Sequence, residues 1–168
     1  MTPSDRPIFL VGFMGSGKSA CAVALAARLD RELVDTDAAV EARAGRSVEG
    51  IFGASGEAGF RTLERELVEE IADRRSVVVA TGGGTYLAAA VRRLINLRGT
   101  SVWLEASLAA IRERIGSGAS RPLWPADPLE QRILFERRRA VYALCSIRVA
   151  AHPGDPDEVA HRVSLRIP

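Results

Sequence analysis

The chain has 168 residues, of which 47% are hydrophobic and 26% charged, enough for one domain with a proper core and too little for a second independent one. Its longest apolar stretches fall far short of the roughly 20 residues that span a bilayer. A formal charge of +2 is too small to argue for nucleic acid as a partner.

Residues 1–6 carry no apolar segment of the kind found in a signal peptide or anchor. Residues 8–11, Ile-Phe-Leu-Val, form a short apolar run that ends in Gly12, and the Gly-rich segment beyond opens into an Ala-rich helix over 20–29. A second strand is predicted at 32–35, a helix at 38–44, a Gly-Arg-Ser turn at 45–47, and a longer amphipathic helix at 57–73 with Phe60, Leu63, Leu67, Val68 and Ile71 on one face. Residues 77–80 are a buried-type strand running into Thr81-Gly82-Gly83-Gly84. A helix (87–95), a strand (100–105), a helix (107–115), a Gly/Ser/Pro-rich loop (116–128), a helix (129–143), a strand (146–150) and a last helix (157–166) complete the chain. Five apolar strands alternating with helices predict an α/β fold, a parallel sheet with helices on both faces. Ligands of such sheets bind at the carboxyl ends of the strands, where residues 12–19, 35–37 and 81–84 all fall. Cys21 and Cys145 have no metal-ligand spacing and read as free thiols of the core in a reducing cytoplasm.

Residues 12–19, Gly-Phe-Met-Gly-Ser-Gly-Lys-Ser, match G-x-x-x-x-G-K-[ST]. Glycines there let consecutive backbone N–H groups turn inward on an anion, and the helix that follows adds its positive end. Lys18 reaches the outer phosphates of ATP and the Ser19 hydroxyl holds Mg²⁺, with Gly15, Ser16, Gly17 and Ala20 completing the cradle. Lys18 is the one lysine among 23 basic residues. The arginine excess reads as base composition, and its lone exception marks a place where a compact ammonium can follow a phosphate as a planar fork cannot.

Asp35 and Asp37 close the second strand, where an i, i+2 pair projects both carboxylates to one side. Alone, a helix N-cap beside a solvated acid would explain them. Beside a phosphate loop, the pair reads as flanking a metal ion or a hydroxyl-bearing ligand, with Asp35 expected to serve Mg²⁺. Thr81-Gly82-Gly83-Gly84 stands where many such enzymes carry an acid after the third strand; successive glycines are costly to order, so something approaches the backbone closely. Arg61, Arg121 and Arg138 stand out by position, and Arg61 lies three residues before Glu64, at ion-pair spacing.

Together these segments resemble the shikimate kinase family: G-F-M-G-S-G-K-S at 12–19, D-T-D at 35–37, G-R-S with I-F in 45–52, G-F-R-x-x-E at 59–64, T-G-G-G at 81–84, R-P-L at 121–123 and R-x-x-x-Y at 138–142. The resemblance implies one nucleoside-monophosphate-kinase-like domain over 1–168, with a five-stranded parallel sheet, a substrate-binding region about 36–64 and a lid about 116–128. It implies transfer of the ATP γ-phosphoryl group, with Mg²⁺, to the 3-hydroxyl of shikimate. Carried over residue by residue, Asp37, Arg61, Gly83, Gly84 and Arg138 contact shikimate, Arg114 packs on adenine, and Lys18, Asp37 and Arg121 of the lid carry the catalysis. Residues 152–156 lack the arginine often found in the family's adenine loop. A cytoplasmic monomer without nucleic-acid or membrane partners is expected. Two alternatives stay open at this level: a kinase of gluconate or of a nucleotide, and a ligand-sensing module that has lost turnover.

Overall fold

A computed structural model describes residues 5–116, 124–151 and 155–168. Its elements run β1 (Ile8–Val11), α1 (Lys18–Leu29), β2 (Glu32–Asp35), α2 (Thr36–Ala44), α3 (Val48–Ala72), β3 (Val77–Ala80), α4 (Ala89–Arg98), β4 (Thr100–Glu105), α5 (Leu108–Ile115), α6 (Pro128–Tyr142), β5 (Ile147–Ala150) and α7 (Pro156–Ser164), with a 3-10 turn at Thr85–Leu87. The strands form one sheet in the order β2-β3-β1-β4-β5, and every pairing is parallel. The expected five-stranded parallel α/β architecture is therefore what the chain adopts.

Strands β1 and β3 are buried at every position, as the centre of a sheet covered on both faces requires. Right-handed crossovers set α1 on one face, where it packs against α7, and α3 on the other, where it packs against α4. Phe9, Leu10, Val11, Val78 and Val79 have no measurable exposure, so the three central strand ends are rigidly placed at one rim of the sheet. From that rim leave the turns after β1, β2 and β3.

Two helices differ from the sequence reading in ways that bear on the site. Asp35 is the N-cap of α2: its Oδ1 accepts the N–H groups of Asp37 (3.0 Å) and Ala38 (3.3 Å), so the chain is already helical at Thr36. Asp37 thus stands in the first helical turn, and its direction is not set by strand alternation. Helix α3 begins at Val48, nine residues before the predicted start at 57, capped by Ser47 Oγ accepting Gly50 N–H at 3.1 Å. Gly50, Gly53 and Gly56 depress helix propensity across this stretch and hide it from a periodicity argument. Gly56, at φ 67° and ψ −174°, breaks the helix and turns its second half, a conformation that belongs almost entirely to glycine.

Candidate active site

The turn after β1 wraps around Lys18. Gly12, Gly15 and Gly17 all have positive φ, which lets the loop curl tightly before α1 starts at Lys18. Lys18 is only 8% exposed, and its Nζ donates to the carbonyl oxygens of Gly12 (2.9 Å) and Phe13 (2.8 Å). Ser16 is buried, and its Oγ has no hydrogen-bond partner among the described residues. Arg114 of α5 crosses to the same loop and donates to the Gly15 carbonyl at 3.1 Å.

Ser19, on the first turn of α1, donates to Asp35 Oδ2 at 3.0 Å. Asp35 thus caps α2 with one oxygen and meets the phosphate loop with the other. These two oxygen donors fit Mg²⁺, a hard cation that keeps most of its waters and takes few protein ligands besides phosphate. Gly15, Gly17, Lys18, Ser19, Ala20, Asp35 and Arg114 border a cleft of about 270 Å³. A neighbouring hollow of about 330 Å³ is walled by Cys21, Ala151, Pro156 and Val159, again with Arg114 at its edge.

A further cleft of about 280 Å³ opens beside the first, bordered by Arg61, Gly83, Gly84 and Arg138. The two clefts share Met14, Asp37, Gly82 and Gly83. At their junction the glycine turn makes room for side chains. A Cβ on Gly82 would lie 2.8 Å from Asp37 Oδ1 and 2.9 Å from Glu64 Oε1; one on Gly83, 3.8 Å from Arg138 Nη1; one on Gly84, 2.2 Å from Arg61 Nη2. What approaches the backbone here is therefore, in the first place, the protein's own charged groups.

Arg61, Glu64 and Arg138 are each held by neighbours. Arg61 Nη1 meets Glu64 Oε2 at 2.7 Å and its Nη2 meets Glu57 at 3.2 Å. Burial works against the Arg61 charge, but the two glutamates outweigh it and lift its pKa above the usual range. Glu64 is 3% exposed and also accepts the Thr85 hydroxyl, at 2.5 Å. Arg138, in a run of three arginines that reads as surface, is 8% exposed and lies 5.3 Å over the Phe13 ring. Thr36 Oγ1 accepts the Gly82 N–H at 2.9 Å.

The structure thus gathers Asp37, Arg61, Gly83, Gly84 and Arg138 at one cleft, and Gly15, Gly17, Lys18, Ser19, Ala20, Asp35 and Arg114 at the next. Arg121 and most of the expected lid, like residues 152–154, lie outside the described residues. Sequence reasoning missed Glu41 and Phe52, which also line the cleft beside Arg61 and Arg138. Glu41 Oε1 accepts the Val48 N–H at 2.8 Å, which ties α2 to the unforeseen first half of α3. Of the two thiols, Cys21 is buried and its pKa is pushed up to about 12 by burial. Cys145, expected in the core, is only half-buried, at the start of edge strand β5.

Comparison with known proteins bears on the chemistry of this arrangement. The family model for shikimate kinase matches residues 14–168. A shikimate kinase of Sulfurihydrogenibium sp. is 38% identical over 164 residues, covering 96% of this chain and 98% of its own. The structure of a shikimate kinase from Acinetobacter baumannii in complex with shikimate superposes with a TM-score of 0.88 at 32% identity, covering 95% of this chain and 90% of that one. One from Aquifex aeolicus gives 0.87 at 34% identity, covering 95% and 94%. A phosphate loop, an adjoining cleft with two fixed arginines and an acid between them, and these likenesses along nearly its whole length agree: the chain belongs to the shikimate kinase family.

Proposed function

We propose that the protein transfers the γ-phosphoryl group of ATP to the 3-hydroxyl of shikimate, giving shikimate 3-phosphate and ADP, a step toward chorismate and the aromatic amino acids. The observation that carries this reading is the shared wall of the two clefts. Asp37 and Gly83 border both, so an acceptor bound by the arginines and a nucleotide bound by the phosphate loop meet there.

Arg61 and Arg138 pair with the shikimate carboxylate through charge-assisted hydrogen bonds, and the Gly83 and Gly84 backbone closes the cleft behind it. Asp37 takes ring hydroxyls and orients the one that attacks. Phosphoryl transfer passes through a loose transition state in which little proton removal is needed early, so Asp37 orients first and receives the proton late. Lys18 leaves the Gly12 and Phe13 carbonyls for the β- and γ-phosphates, and Arg121 adds charge from the lid. Ser19 and Asp35 hold Mg²⁺, which when bound neutralises phosphate oxygens. Gly15, Ser16, Gly17 and Ala20 cradle the phosphates, and the hollow beside Arg114 takes the adenine. The closed lid excludes water that would compete as acceptor. The two free cysteines support a cytoplasmic enzyme, working as a monomeric domain with substrate-binding region and lid about 36–64 and 116–128.

A coupled assay of ADP release with shikimate, quinate and gluconate tests the acceptor. Shikimate methyl ester has the same ring and no charge, and leaves both guanidinium groups unpaired. Its kcat/KM should fall by roughly 10²-fold or more, on the order of 3 kcal/mol. Arg138→Leu should narrow that gap, and the four measurements form a double-mutant cycle. A coupling energy near zero would show that the carboxylate is held elsewhere, and turnover of gluconate in preference to shikimate would overturn the acceptor itself.

A further inference from the structure

Tyr142 lies at the end of α6, one turn beyond Arg138, and none of the steps above uses it. It is 2% exposed, its ring rests 6.3 Å from that of Trp103, and its hydroxyl donates to the Gly83 carbonyl oxygen at 2.5 Å. A trans peptide is planar and points a carbonyl and the next N–H in opposite directions. With its C=O held by α6, the Gly83–Gly84 peptide therefore turns the Gly84 N–H away from α6. Gly84 borders the acceptor cleft.

The rest of the turn has its own anchors. Thr36 accepts the Gly82 N–H, and the Thr85 backbone N–H donates to the Gly82 carbonyl at 3.2 Å. Among the described residues, the Gly83 carbonyl is tied only through Tyr142, and two adjacent glycines have no steric preference that would keep their peptide in one orientation. Burial pushes the Tyr142 phenol up to about 12, the charges of Arg138 and Arg61 opposing the shift. The group is thus a donor at any working pH, and those opposing charges show that it also stands beside the acceptor-binding guanidinium groups.

We propose that Tyr142 is a positioning residue for the acceptor: its hydroxyl aims the Gly83–Gly84 peptide so that the Gly84 N–H faces the bound carboxylic acid. This rests on the reading of the cleft as the shikimate site, which turnover of shikimate by the unaltered enzyme tests separately.

Tyr142→Phe keeps the ring and removes the donor. Tyr86→Phe is the control, since Tyr86 is 1% exposed and gives its hydroxyl to Asn96 at 3.0 Å, away from both clefts. The Tyr142 variant should raise the KM for shikimate by about tenfold, the ratio that loss of one hydrogen bond commonly makes, with the KM for ATP unchanged. The control should lower Tm and leave the shikimate KM alone. If Tyr142→Phe lowers only Tm, or raises both KM values alike, Tyr142 is merely structural and the inference fails. Should that variant not fold, labelling of the Tyr86→Phe protein with tetrafluorotyrosine, acidic enough to bring this phenol into the working pH range, leaves Tyr142 as the one labelled site, because the chain has two tyrosines. The more acidic phenol loses its proton at lower pH, and the shikimate KM should rise with pH where that of the unlabelled protein stays flat. A flat profile in the labelled protein would equally sink the assignment.

Discussion

Adding one methyl group at Gly84 should disable acceptor binding while sparing the nucleotide. Gly84 has φ −101° and ψ −15°, which alanine adopts without strain, so the backbone itself tolerates Gly84→Ala. The obstacle is Arg61. The new Cβ would stand 2.2 Å from Arg61 Nη2, whereas contacts become ordinary only at 3.4 Å, so the guanidinium must retreat by about 1.2 Å (3.4 − 2.2). Arginine is flexible, but this one is held by Glu64 at 2.7 Å, and Glu64 is 3% exposed with nowhere to follow. Displacements near 1 Å of a positioning group cost roughly 10²-fold in rate. Partial loss of the pair around a buried carboxylate adds on the order of 1–3 kcal/mol of destabilisation. Titrating shikimate and ATP separately in the coupled assay should show kcat/KM for shikimate down by roughly 10²-fold and the KM for ATP nearly unchanged. In an Arg61→Ala background the same substitution should add almost nothing, because the group it displaces is gone. Wild-type shikimate kinetics in Gly84→Ala, or an equal loss in both backgrounds, would refute the argument that the glycine exists to admit Arg61.

Two further outcomes follow from the phosphate side. Lys18→Met should abolish transfer and leave the fold intact by circular dichroism, and Lys18→Arg should also fail, since a fork must fit between the Gly12 and Phe13 carbonyls that the ammonium reaches at 2.9 and 2.8 Å; near-normal turnover by the arginine variant would show the lone lysine to be incidental. Asp37→Asn should keep ATP binding and lose most of kcat, whereas Asp35→Asn should shift the Mg²⁺ dependence and, through the cap it provides to α2, lower stability by about 1 kcal/mol; a loss of ATP affinity with unchanged kcat in the Asp37 variant would mean the two acids are assigned the wrong way round.

Much of this was legible in the sequence because the informative segments are local. The strands at 8–11, 32–35, 77–80 and 100–105 coincide with β1 to β4; at 8–11 and 77–80 a continuous apolar run bounded by turns leaves little freedom in a buried sheet. Arg61 and Glu64 pair as their spacing predicts. The failures are equally physical. Helix α3 begins among three glycines and depends on Ser47, Glu41 and its packing, and local propensity carries none of that information. Burial of Arg138 beneath the glycine turn depends on how α6 meets the phosphate loop and Phe13, a contact between residues more than a hundred positions apart. An arginine flanked by two others offers no periodic signal that one of them points inward. Lys18 likewise reads as an open anion site, while the chain folds its own carbonyls around the ammonium.

The glycines after β3 also explain why no acid stands there. A carboxylate at 82, 83 or 84 would need a Cβ in space taken by Asp37 and Glu64, by the Met14 backbone near Arg138, or by Arg61 respectively. At 82 and 84 a side chain of the turn's own would compete for space with those of α2 and α3. Supplying the acid from β2 instead, as Asp35, resolves the conflict. Its Oδ2 meets Ser19 on the nucleotide side while its Oδ1 starts α2, and α2 then delivers Asp37 two residues later to the wall that both clefts share. On the proposed assignment, the acid that would serve Mg²⁺ and the acid that would orient the acceptor are thereby mounted on one helical turn. A shift of α2 must move both together, which keeps the attacking hydroxyl and the phosphate chain in register with each other.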